Sequence, residues 1–440
     1  MAGAVAAESF GLWGGRAAPS GRVDIVIIGA GAAGIAAARS VAAMGRPYAL
    51  LEASSRVGGR AVTDMQTFGV PFDMGAHWIH MPGLHPLSRL GKKAGFDIYR
   101  APDEPRLFIN GREGSDGEYK AFDDAIARVE QAITAAGSAA RDVPASNVLP
   151  KLGGPWGSTA ELIVGPLSCA KELNHISTLD FARSEEEEVD DFCRQGFGTL
   201  ITHLAAPLSV HLDTQVTAVD LRGRDEVAVE TSRGILRCAA VIIAVPPSLL
   251  VRERLRILPE LDTGHRAAIE GISLGAYDHI AFLLPKNPFD LKADELVFFR
   301  SDGRRGCALL GRIGGTDLHS IEVGGDLAVE LAGSPAAAGA FAREVIAREC
   351  GRSAARRIAK VRATAWSREP FALGAFSCAE PGTAHLRRAL AKPIDDRLFF
   401  AGEHTHEGLW GTVGGAWLSG ERAAKQAVRA VAPRSGPSMA

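Results

Sequence analysis

The pattern of apolar and polar positions is most informative near the start of the chain, where it predicts a strand, a helix and a second strand. An apolar run, Ile25 to Ile28, precedes a glycine-rich turn, Gly29 to Gly34, and an alanine-rich segment, Ile35 to Met44. A second apolar run, Tyr48 to Leu51, ends at Glu52. This order of strand, glycine turn, helix, strand and acid is typical of a βαβ unit that binds a dinucleotide.

Each glycine of the turn has its own role in this prediction. Gly29 permits the tight turn, Gly31 lets the backbone approach a pyrophosphate, and Gly34 lets the helix pack closely on the strand. We expect the pyrophosphate at the helix N-terminus, next to Ala33, where free N–H groups and the helix dipole favour negative charge. The carboxylate of Glu52 can accept hydrogen bonds from both hydroxyls of an adenosine ribose.

A second glycine loop, Ala53 to Arg60, indicates which dinucleotide is bound. Its two adjacent glycines lie between two arginines, a combination suited to phosphate groups. The whole stretch resembles the N-terminal signature of the FAD-dependent amine oxidase family, which includes monoamine and polyamine oxidases. The resemblance implies that Glu52 binds the ribose and that this loop wraps the pyrophosphate and approaches the flavin. The loop residues assigned to FAD are Ala53, Arg56, Gly58, Gly59 and Arg60.

The segment from Met74 to His80 extends the resemblance, because in the family a loop of this kind runs beneath the flavin. The residues assigned to FAD here are Gly75, Ala76, His77 and Trp78. Although His77, His80 and His85 lie close together in the sequence, no carboxylate at metal-ligand spacing accompanies them, so we expect no metal site.

The middle of the chain gives less specific signals. Apolar positions at helical spacing predict helices within Leu84 to Ala94 and Phe122 to Ala136. Strands are predicted over Gln215 to Asp220 and Ala239 to Val245. The resemblance implies that Val216 passes the adenine of FAD.

The strand predicted over Leu274 to Leu284 carries a departure from the family pattern. Family members commonly have a lysine there that holds a water against flavin N5 and aids the reaction of reduced flavin with oxygen. His279 takes that position, and a shift of one residue would place Asp278 there. A neutral imidazole can hold a water but lacks the fixed charge of an ammonium group. An ordinary strand histidine is the alternative interpretation.

The C-terminal signature is the strongest after the opening one. It comprises Trp366 to Ser377, Leu398 to Thr405 and Gly411 to Ala424. The last segment predicts a helix whose N-terminus stabilises negative charge on a reduced flavin. By resemblance, Glu403 orients the ribityl–phosphate part of FAD. The residues assigned to FAD here are Gly402, Glu403, Gly411, Thr412 and Val413.

The same region provides the side chains that we expect on the two sides of the substrate, called here the first and second walls. Ala375 stands where some family members have a cysteine that attaches FAD covalently, so we expect noncovalent FAD. Phe376 takes the place of an active-site tyrosine, and the second wall falls at Trp410 or Thr412. Phe376 and Trp410 would sandwich a neutral amine. The predicted catalytic set is His279, Phe376, Trp410 and Thr412; as an alternative, two such aromatics are simply part of the core.

Composition and charge narrow the functional classes. The 440 residues carry a net charge of -2, so the charge does not indicate binding to nucleic acid or to an anionic membrane. No apolar run reaches the roughly 18 residues of a membrane helix. The six cysteines are scattered without a C-x-x-C motif, so neither a disulfide framework nor a zinc site is expected. The run Glu185 to Glu188 is interpreted as a solvated loop or helix start.

The termini are expected to lie outside the fold. Residues 1–21 are interpreted as a flexible leader and 433–440 as a tail. We therefore expect a soluble cytoplasmic protein, with periplasmic export as the alternative if 1–21 are a truncated export signal.

The resemblance covers Val23 to Val431 and implies an α/β fold. A Rossmann-like FAD-binding domain would be assembled from 22–75, 196–254 and 366–432, and an interleaved α+β substrate-binding domain from 76–195 and 255–365. The implied reaction is hydride transfer from an amine to flavin N5, giving an imine that hydrolyses, with O2 reduced to H2O2. Alternatives are a dehydrogenase or desaturase of the same fold with another acceptor or a carbon–carbon substrate, and a non-catalytic binding protein. Whether the protein forms a homodimer is not decided by the sequence.

Overall fold

The computed structural model describes residues 22–431 except 153, 186–188, 302 and 304. The leader, the tail and most of the acidic run therefore lie outside the described residues. Among the described residues the α-helices are α1 (Ala32–Ala43), α2 (Leu87–Lys93), α3 (Asp116–Ser138), α4 (Gly157–Leu162), α5 (Thr178–Arg183), α6 (Phe197–Ala205), α7 (Pro247–Val251), α8 (Thr263–Gly271), α9 (Gly325–Leu331), α10 (Pro335–Ala355), α11 (Arg387–Leu390) and α12 (Val413–Val431).

The strands follow the same chain order. They are β1 (Arg22–Ile28), β2 (Tyr48–Leu51), β3 (Thr63–Asp64), β4 (Phe72–Asp73), β5 (Ile79–His80), β6 (Ile98–Arg100), β7 (Arg106–Ile109), β8 (Arg112–Glu113), β9 (Asp190–Cys193), β10 (Val210–His211), β11 (Val216–Asp220), β12 (Val227–Thr231), β13 (Gly234–Ile243), β14 (Arg256–Leu258), β15 (Tyr277–Leu283), β16 (Glu295–Phe299), β17 (Ala308–Gly311), β18 (Leu318–Gly324), β19 (Ala359–Ala363) and β20 (Leu398–Phe400).

The opening βαβ unit is confirmed, since β1, α1 and β2 follow one another with the predicted glycine turn between the first two. The helix predicted at Phe122 to Ala136 lies inside α3. This helix begins earlier than its apolar spacing indicates, because Ser115 and Glu118 form a reciprocal capping box at its N-terminus.

The larger of the two main sheets has eight strands. Its strand order is β10-β2-β1-β13-β12-β11-β14, and β20 also pairs with β13. The parallel strands β2, β1, β13 and β20 end in register, with Leu51 opposite Ile28, Ile28 opposite Ile243, and Ile243 opposite Phe400. The segments that follow these strands therefore meet at one edge, which is where open α/β sheets bind ligands.

Helices cover both faces of this sheet. On one face, apolar residues of α1, α6 and α12 pack together in a single buried cluster, and on the other face α8 contributes Ala268 and Ile269. The packing of α1 on α12 is close, because a Cβ atom at Gly420 would lie 2.1 Å from the backbone oxygen of Ala33.

A second sheet, ordered β19-β15-β18-β17-β16-β7-β8, provides the other half of the site. One face packs against α9 and α10. The opposite face presents a row of paired residues, in which His279 lies opposite Glu322, Glu322 opposite Ala308, and Ala308 opposite Phe298. The two sheets and their helices confirm the predicted α/β class.

The division into FAD-binding and substrate-binding domains stays a prediction. One boundary differs in detail: β14 (Arg256–Leu258) pairs with β11 in the large sheet, although the predicted boundary at 254 assigns it to the other domain. Among the described helices, none combines the length and apolarity needed to cross a bilayer.

Candidate active site

A cavity of about 970 Å³ is lined by residues from both sheets. Every residue assigned to FAD or to catalysis from the sequence lines it, with the exception of Gly34. Gly34 instead faces the turn, where a Cβ atom would lie 1.8 Å from the backbone oxygen of Gly29. The structure thus brings the predicted set together, while the role of each residue stays a prediction.

Two glycine loops form a narrow cradle at one end of the cavity. The N–H of Gly58 donates to the backbone oxygen of Ala30 at 2.8 Å, which ties the second loop to the first. A Cβ atom at Gly59 would lie 3.2 Å from the Cα atom of Gly31. Side chains at these positions would fill the space between the loops, so the cradle suits a ligand that is contacted by backbone, such as a pyrophosphate.

Glu52 is held in place beside this cradle. Its Oε2 accepts from the N–H of Ala30 at 2.8 Å, and its Oε1 accepts from the N–H and the hydroxyl of Ser54 at 2.9 and 2.7 Å. A carboxylate has about four lone-pair positions, so these three bonds leave acceptor capacity on the cavity side. The arrangement fits the hydroxyls of a ribose.

Glu403 is the second buried carboxylate of this end. Its Oε2 accepts from the hydroxyl of Ser377 at 2.6 Å and from the N–H of Gly411 at 2.8 Å, and Arg60 lies 3.1 Å from its Oε1. Burial favours the neutral acid, but the charge of Arg60 outweighs it with help from Ser377 and Arg387, and the pKa of Glu403 falls to about 2. Glu403 is therefore ionised and joins three segments of the wall.

A buried ion pair behind Glu403 was not found from the sequence. Arg387 contacts both carboxylate oxygens of Asp180, at 2.6 and 2.7 Å, and donates to the hydroxyl of Ser377 at 2.9 Å. Asp180 is far from Arg387 in the sequence, and no spacing or motif connects them. The chain Asp180–Arg387–Ser377 supports Glu403 from behind.

The aromatic wall includes Tyr277 beside the predicted Phe376 and Trp410. The ring of Phe376 meets that of Tyr277, with centroids 5.9 Å apart, and covers Gly411. Trp410 is only 7% exposed and its indole N–H donates to the backbone oxygen of Asp180 at 3.3 Å. Its ring packs against Arg387 and also lines the cavity, so the sandwich of an amine between Phe376 and Trp410 stays a prediction.

Thr412, the other predicted candidate for the second wall, has a helix-terminal role. Its hydroxyl accepts from the N–H of Gly415 at 2.9 Å, as an N-cap residue does at the start of α12. Tyr277 was missed because its pairing with Phe376 depends on a loop: the N–H of Gly275 donates to the backbone oxygen of Phe376 at 2.9 Å and places the two rings side by side.

The two register alternatives at β15 are resolved in favour of His279, which lines the cavity. Asp278 points to the other side, where its Oδ1 accepts from Thr364 and from the N–H of Trp366. Both ring nitrogens of His279 lie close to oxygen atoms of the protein. Nδ1 of His279 lies 2.6 Å from Oε2 of Glu322, and Nε2 lies 3.1 Å from the backbone oxygen of Gly75.

The remaining walls divide into an apolar chamber and an acidic rim. The apolar chamber is formed by Leu296, Phe298, Ala308 and Leu310 of the second sheet. The acidic rim comprises Glu185, Asp190 and Glu369, of which Glu185 is exposed and Asp190 and Glu369 are partly exposed. His80 also lies at this rim, 3.0 Å from Asp190.

Among the described residues, no group of three or more histidine, cysteine or acidic side chains is arranged to hold a metal ion. The six cysteines are free thiols, and five of them are buried. The cavity is therefore built from glycine loops, two fixed carboxylates, arginines and an apolar chamber.

The amino-acid sequence is similar to those of known flavin enzymes. A family model described as "Flavin containing amine oxidoreductase" matches residues 32–145 and 163–428. Lysine-specific histone demethylase 1B of Mus musculus is 25% identical over 447 residues, which are 92% of this chain and 52% of that protein. Polyamine oxidase 4 of Oryza sativa subsp. japonica is 27% identical over 469 residues, which are 94% of this chain and 90% of that protein. The chain spans about half the length of the histone demethylases that it matches.

Solved structures share the fold at low sequence identity. A putrescine oxidase, wild type with bound putrescine, aligns with a TM-score of 0.77 and 19% identity over 93% of this chain and 99% of that one. Cyclohexylamine oxidase from Brevibacterium oxydans IH-35A aligns with a TM-score of 0.74 and 19% identity over 92% and 99%. At these identities the structural likeness establishes the fold alone.

Proposed function

Because the chain belongs to the flavin-containing amine oxidoreductase family, we propose that it uses noncovalently bound FAD to oxidise a carbon–nitrogen bond of a small amine. The family membership confirms the resemblance inferred from the sequence and the prediction of an FAD cofactor. The observation that carries the proposal is the continuity of the cavity, which joins the cradle for a dinucleotide to an apolar chamber beside Phe376 and Tyr277.

The residues present suit FAD. The cradle at Gly31 and Gly59 would take the pyrophosphate, Glu52 the adenosine ribose, and Glu403 with Arg60 the ribityl–phosphate part. Ala375 has no atom that could form a covalent bond to the flavin. Bound FAD would supply hydride acceptance at N5 from the carbon next to the amine nitrogen, followed by reoxidation with O2 to H2O2, while the released imine hydrolyses to a carbonyl product and ammonia or a smaller amine.

The chain's own contribution at the reacting end is to position the amine and exclude water. The rings of Phe376 and Tyr277 and the apolar chamber disfavour an ammonium group, because burial in apolar surroundings lowers the pKa of an amine. A neutral amine has the free lone pair that oxidation of its carbon–nitrogen bond needs. The site therefore does not require a dedicated base.

The acidic rim favours substrates with a second positive charge. Glu185, Asp190 and Glu369 are the exposed or partly exposed acidic residues of the cavity wall, whereas the four residues of the apolar chamber carry no charge. A diamine or polyamine would keep one ammonium group at the rim and insert the other end as a neutral amine. The polyamine oxidases among the relatives support this substrate class.

The test is an absorbance spectrum of the purified protein followed by anaerobic addition of matched amines. Putrescine and n-butylamine have the same carbon chain but differ in the second amine, so putrescine should bleach the flavin bands at lower concentration. Cyclohexylamine and a peptide with methylated lysine complete the panel. Return of the bands on admitting air, with peroxide formed, supports the oxidase.

Other outcomes separate the alternatives. Bleaching that does not reverse in air indicates a dehydrogenase with another acceptor. Flavin that no amine reduces contradicts amine oxidation, and a protein that cannot bind FAD contradicts the whole proposal. Glu185→Gln should raise the concentration of putrescine needed by up to about fivefold, as for an exposed charge pair, and leave that of n-butylamine unchanged. Glu344→Gln, an exposed change in α10 on the face of the second sheet opposite the cavity, is the matched control.

A further inference from the structure

His279 lies between two acceptors on different parts of the fold. On one side is the carboxylate of Glu322 in β18, with Nδ1 and Oε2 2.6 Å apart. On the other side is the backbone oxygen of Gly75, 3.1 Å from Nε2. Gly75 begins the loop to Trp78 that lines the cofactor end of the cavity. The imidazole therefore connects the second sheet to that loop.

The geometry determines the protonation state. Neither a carboxylate nor a backbone carbonyl can donate a hydrogen bond at neutral pH. A bare ring nitrogen facing either oxygen at these distances would set lone pair against lone pair. The Nε2 contact has the geometry of a hydrogen bond, whereas Nδ1 and Oε2 of Glu322 form a close ion-pair contact, and this oxygen has no hydrogen bond within the described residues. A proton on each ring nitrogen, which makes the ring an imidazolium, suits both contacts.

We propose that His279 is a positioning residue that carries a proton on both ring nitrogens and, paired with Glu322, holds the Gly75–Trp78 loop in the shape that binds FAD. The proposal rests on the proposed function in one respect, that the cavity takes FAD. It differs from the expectation of a neutral histidine that holds a water, because neither nitrogen is free to do so.

The charges around the ring favour this state. Glu322 faces it from β18, Asp278 is its neighbour on β15, and the ring of Tyr277 lies 5.6 Å from the imidazole, centroid to centroid. Burial and the charge of Glu322 raise the pKa of Tyr277 well above its ordinary value. Burial alone would lower the pKa of His279, but Glu322 outweighs burial and raises it above its ordinary value of 6.5, with smaller contributions from Asp278 and the Gly75 oxygen.

Loss of one proton would break one contact in particular. The hydrogen bond to a carboxylate is charge-assisted and stronger than that to a backbone carbonyl. The remaining proton would therefore stay on Nδ1, toward Glu322, and the lone pair of Nε2 would face the Gly75 oxygen. The cofactor loop would lose its connection to the second sheet.

The first experiment is nuclear magnetic resonance of the full-length protein, as purified, with ¹⁵N-labelled histidine. His279→Gln assigns the resonance by its disappearance. At pH 7.5 both ring nitrogens of His279 should show shifts of protonated nitrogen. His319 is the control: it is fully buried on the other face of the same sheet, has one nitrogen near a backbone oxygen, and should show one bare nitrogen. A bare nitrogen on His279 at this pH would overturn the proposal.

The second experiment follows FAD binding against pH without any amine. The FAD dissociation constant should rise about 10-fold or more, the equivalent of one charge-assisted hydrogen bond, as pH increases through the titration of His279. Glu322→Gln, which removes the neighbouring charge but keeps an acceptor, should move this rise to lower pH. Glu330→Gln, at an exposed ion pair with Arg305, should leave it in place.

These results are independent of the proposed reaction. A profile that Glu322→Gln does not move would contradict the proposal even if the enzyme oxidises amines. Conversely, two protonated nitrogens and a shifted FAD profile would support it even if no amine reduces the flavin. If FAD fails to bind, the proposed function is wrong. The role proposed for His279 is then wrong as well, even if both of its ring nitrogens carry protons, because there is no cofactor for the loop to bind.

Discussion

The buried pair Asp180–Arg387 allows a prediction whose magnitude follows from its surroundings. Both side chains are 1% exposed, and the guanidinium contacts both carboxylate oxygens. Asp180→Asn changes the charge with little change in volume and leaves the buried cation of Arg387 without its counterion. Removing one partner of a buried ion pair costs about 3–5 kcal/mol. We expect about 3 kcal/mol, because Glu403 also acts on Arg387.

An adjacent exposed pair provides the control. Arg388 contacts Glu407 at 3.0 Å, with side chains 69% and 36% exposed. Glu407→Gln should cost less than about 1 kcal/mol, because water screens such a pair. The two variants differ mainly in the burial of the charge that they remove.

The assay is urea unfolding of both variants, followed by tryptophan fluorescence and circular dichroism. Unfolding is measured at two FAD concentrations, because a ligand of the folded state adds stability that depends on its concentration. The difference between the two series separates a loss of FAD affinity from a loss of intrinsic stability. Coincident transitions by the two probes are required before a free energy is assigned.

A double variant tests the reasoning. Asp180→Leu combined with Arg387→Met replaces both charges with apolar groups, and should be more stable than the sum of the two single changes. Additive effects would contradict the assigned electrostatic coupling. A loss below about 1 kcal/mol in Asp180→Asn, like that of Glu407→Gln, would refute the claim that this pair is shielded from water.

Three further predictions follow from the structure. Gly34→Ala should lower the free energy of unfolding by about 1–3 kcal/mol through a backbone clash, and less FAD should stay bound during gel filtration. The control is Gly117→Ala in α3, where the added methyl group meets open space, and it should leave the stability unchanged or raise it. Glu52→Gln should weaken FAD binding about 10-fold or more by loss of charge-assisted bonds, and an unchanged affinity in a fluorescence titration would contradict the ribose role. Burial lowers the pKa of both His319 and His404 to about 4 from 6.5, so the unfolded chain binds protons first and folding stability should fall as pH decreases from 6.5 to 4. His319→Gln should make this fall less steep in urea unfolding, unless the histidine is already charged in the folded state.

Local features of the cofactor end could be predicted from the sequence. The βαβ unit, the glycine spacing from Gly29 to Gly34 and the acid at Glu52 lie within one short stretch, and each acts on its immediate neighbours. The turn geometry and the helix N-terminus depend on the residue types alone. For this reason nearly all of the residues assigned to FAD line the cavity of the structure.

The substrate end shows why other features could not be predicted. Trp410 and Phe376 are both aromatic residues near a glycine turn, and the sequence does not say what either ring contacts. The ring of Trp410 packs against Arg387, and Tyr277 lies beside Phe376. Neither fact follows from spacing along the chain.

The sequence by itself determined the fold class and the cofactor, and it predicted which residues meet at one end of the cavity, because those signals are local and repeat a pattern of turn, helix and charge. Tertiary structure alone decided the partners of buried charges. The pairing of His279 with Glu322 depends on strand register, and that of Asp180 with Arg387 on packing between remote segments. Such contacts are set by how whole elements fit together, and a charge buried in this way takes its protonation state from the partner that the fold provides.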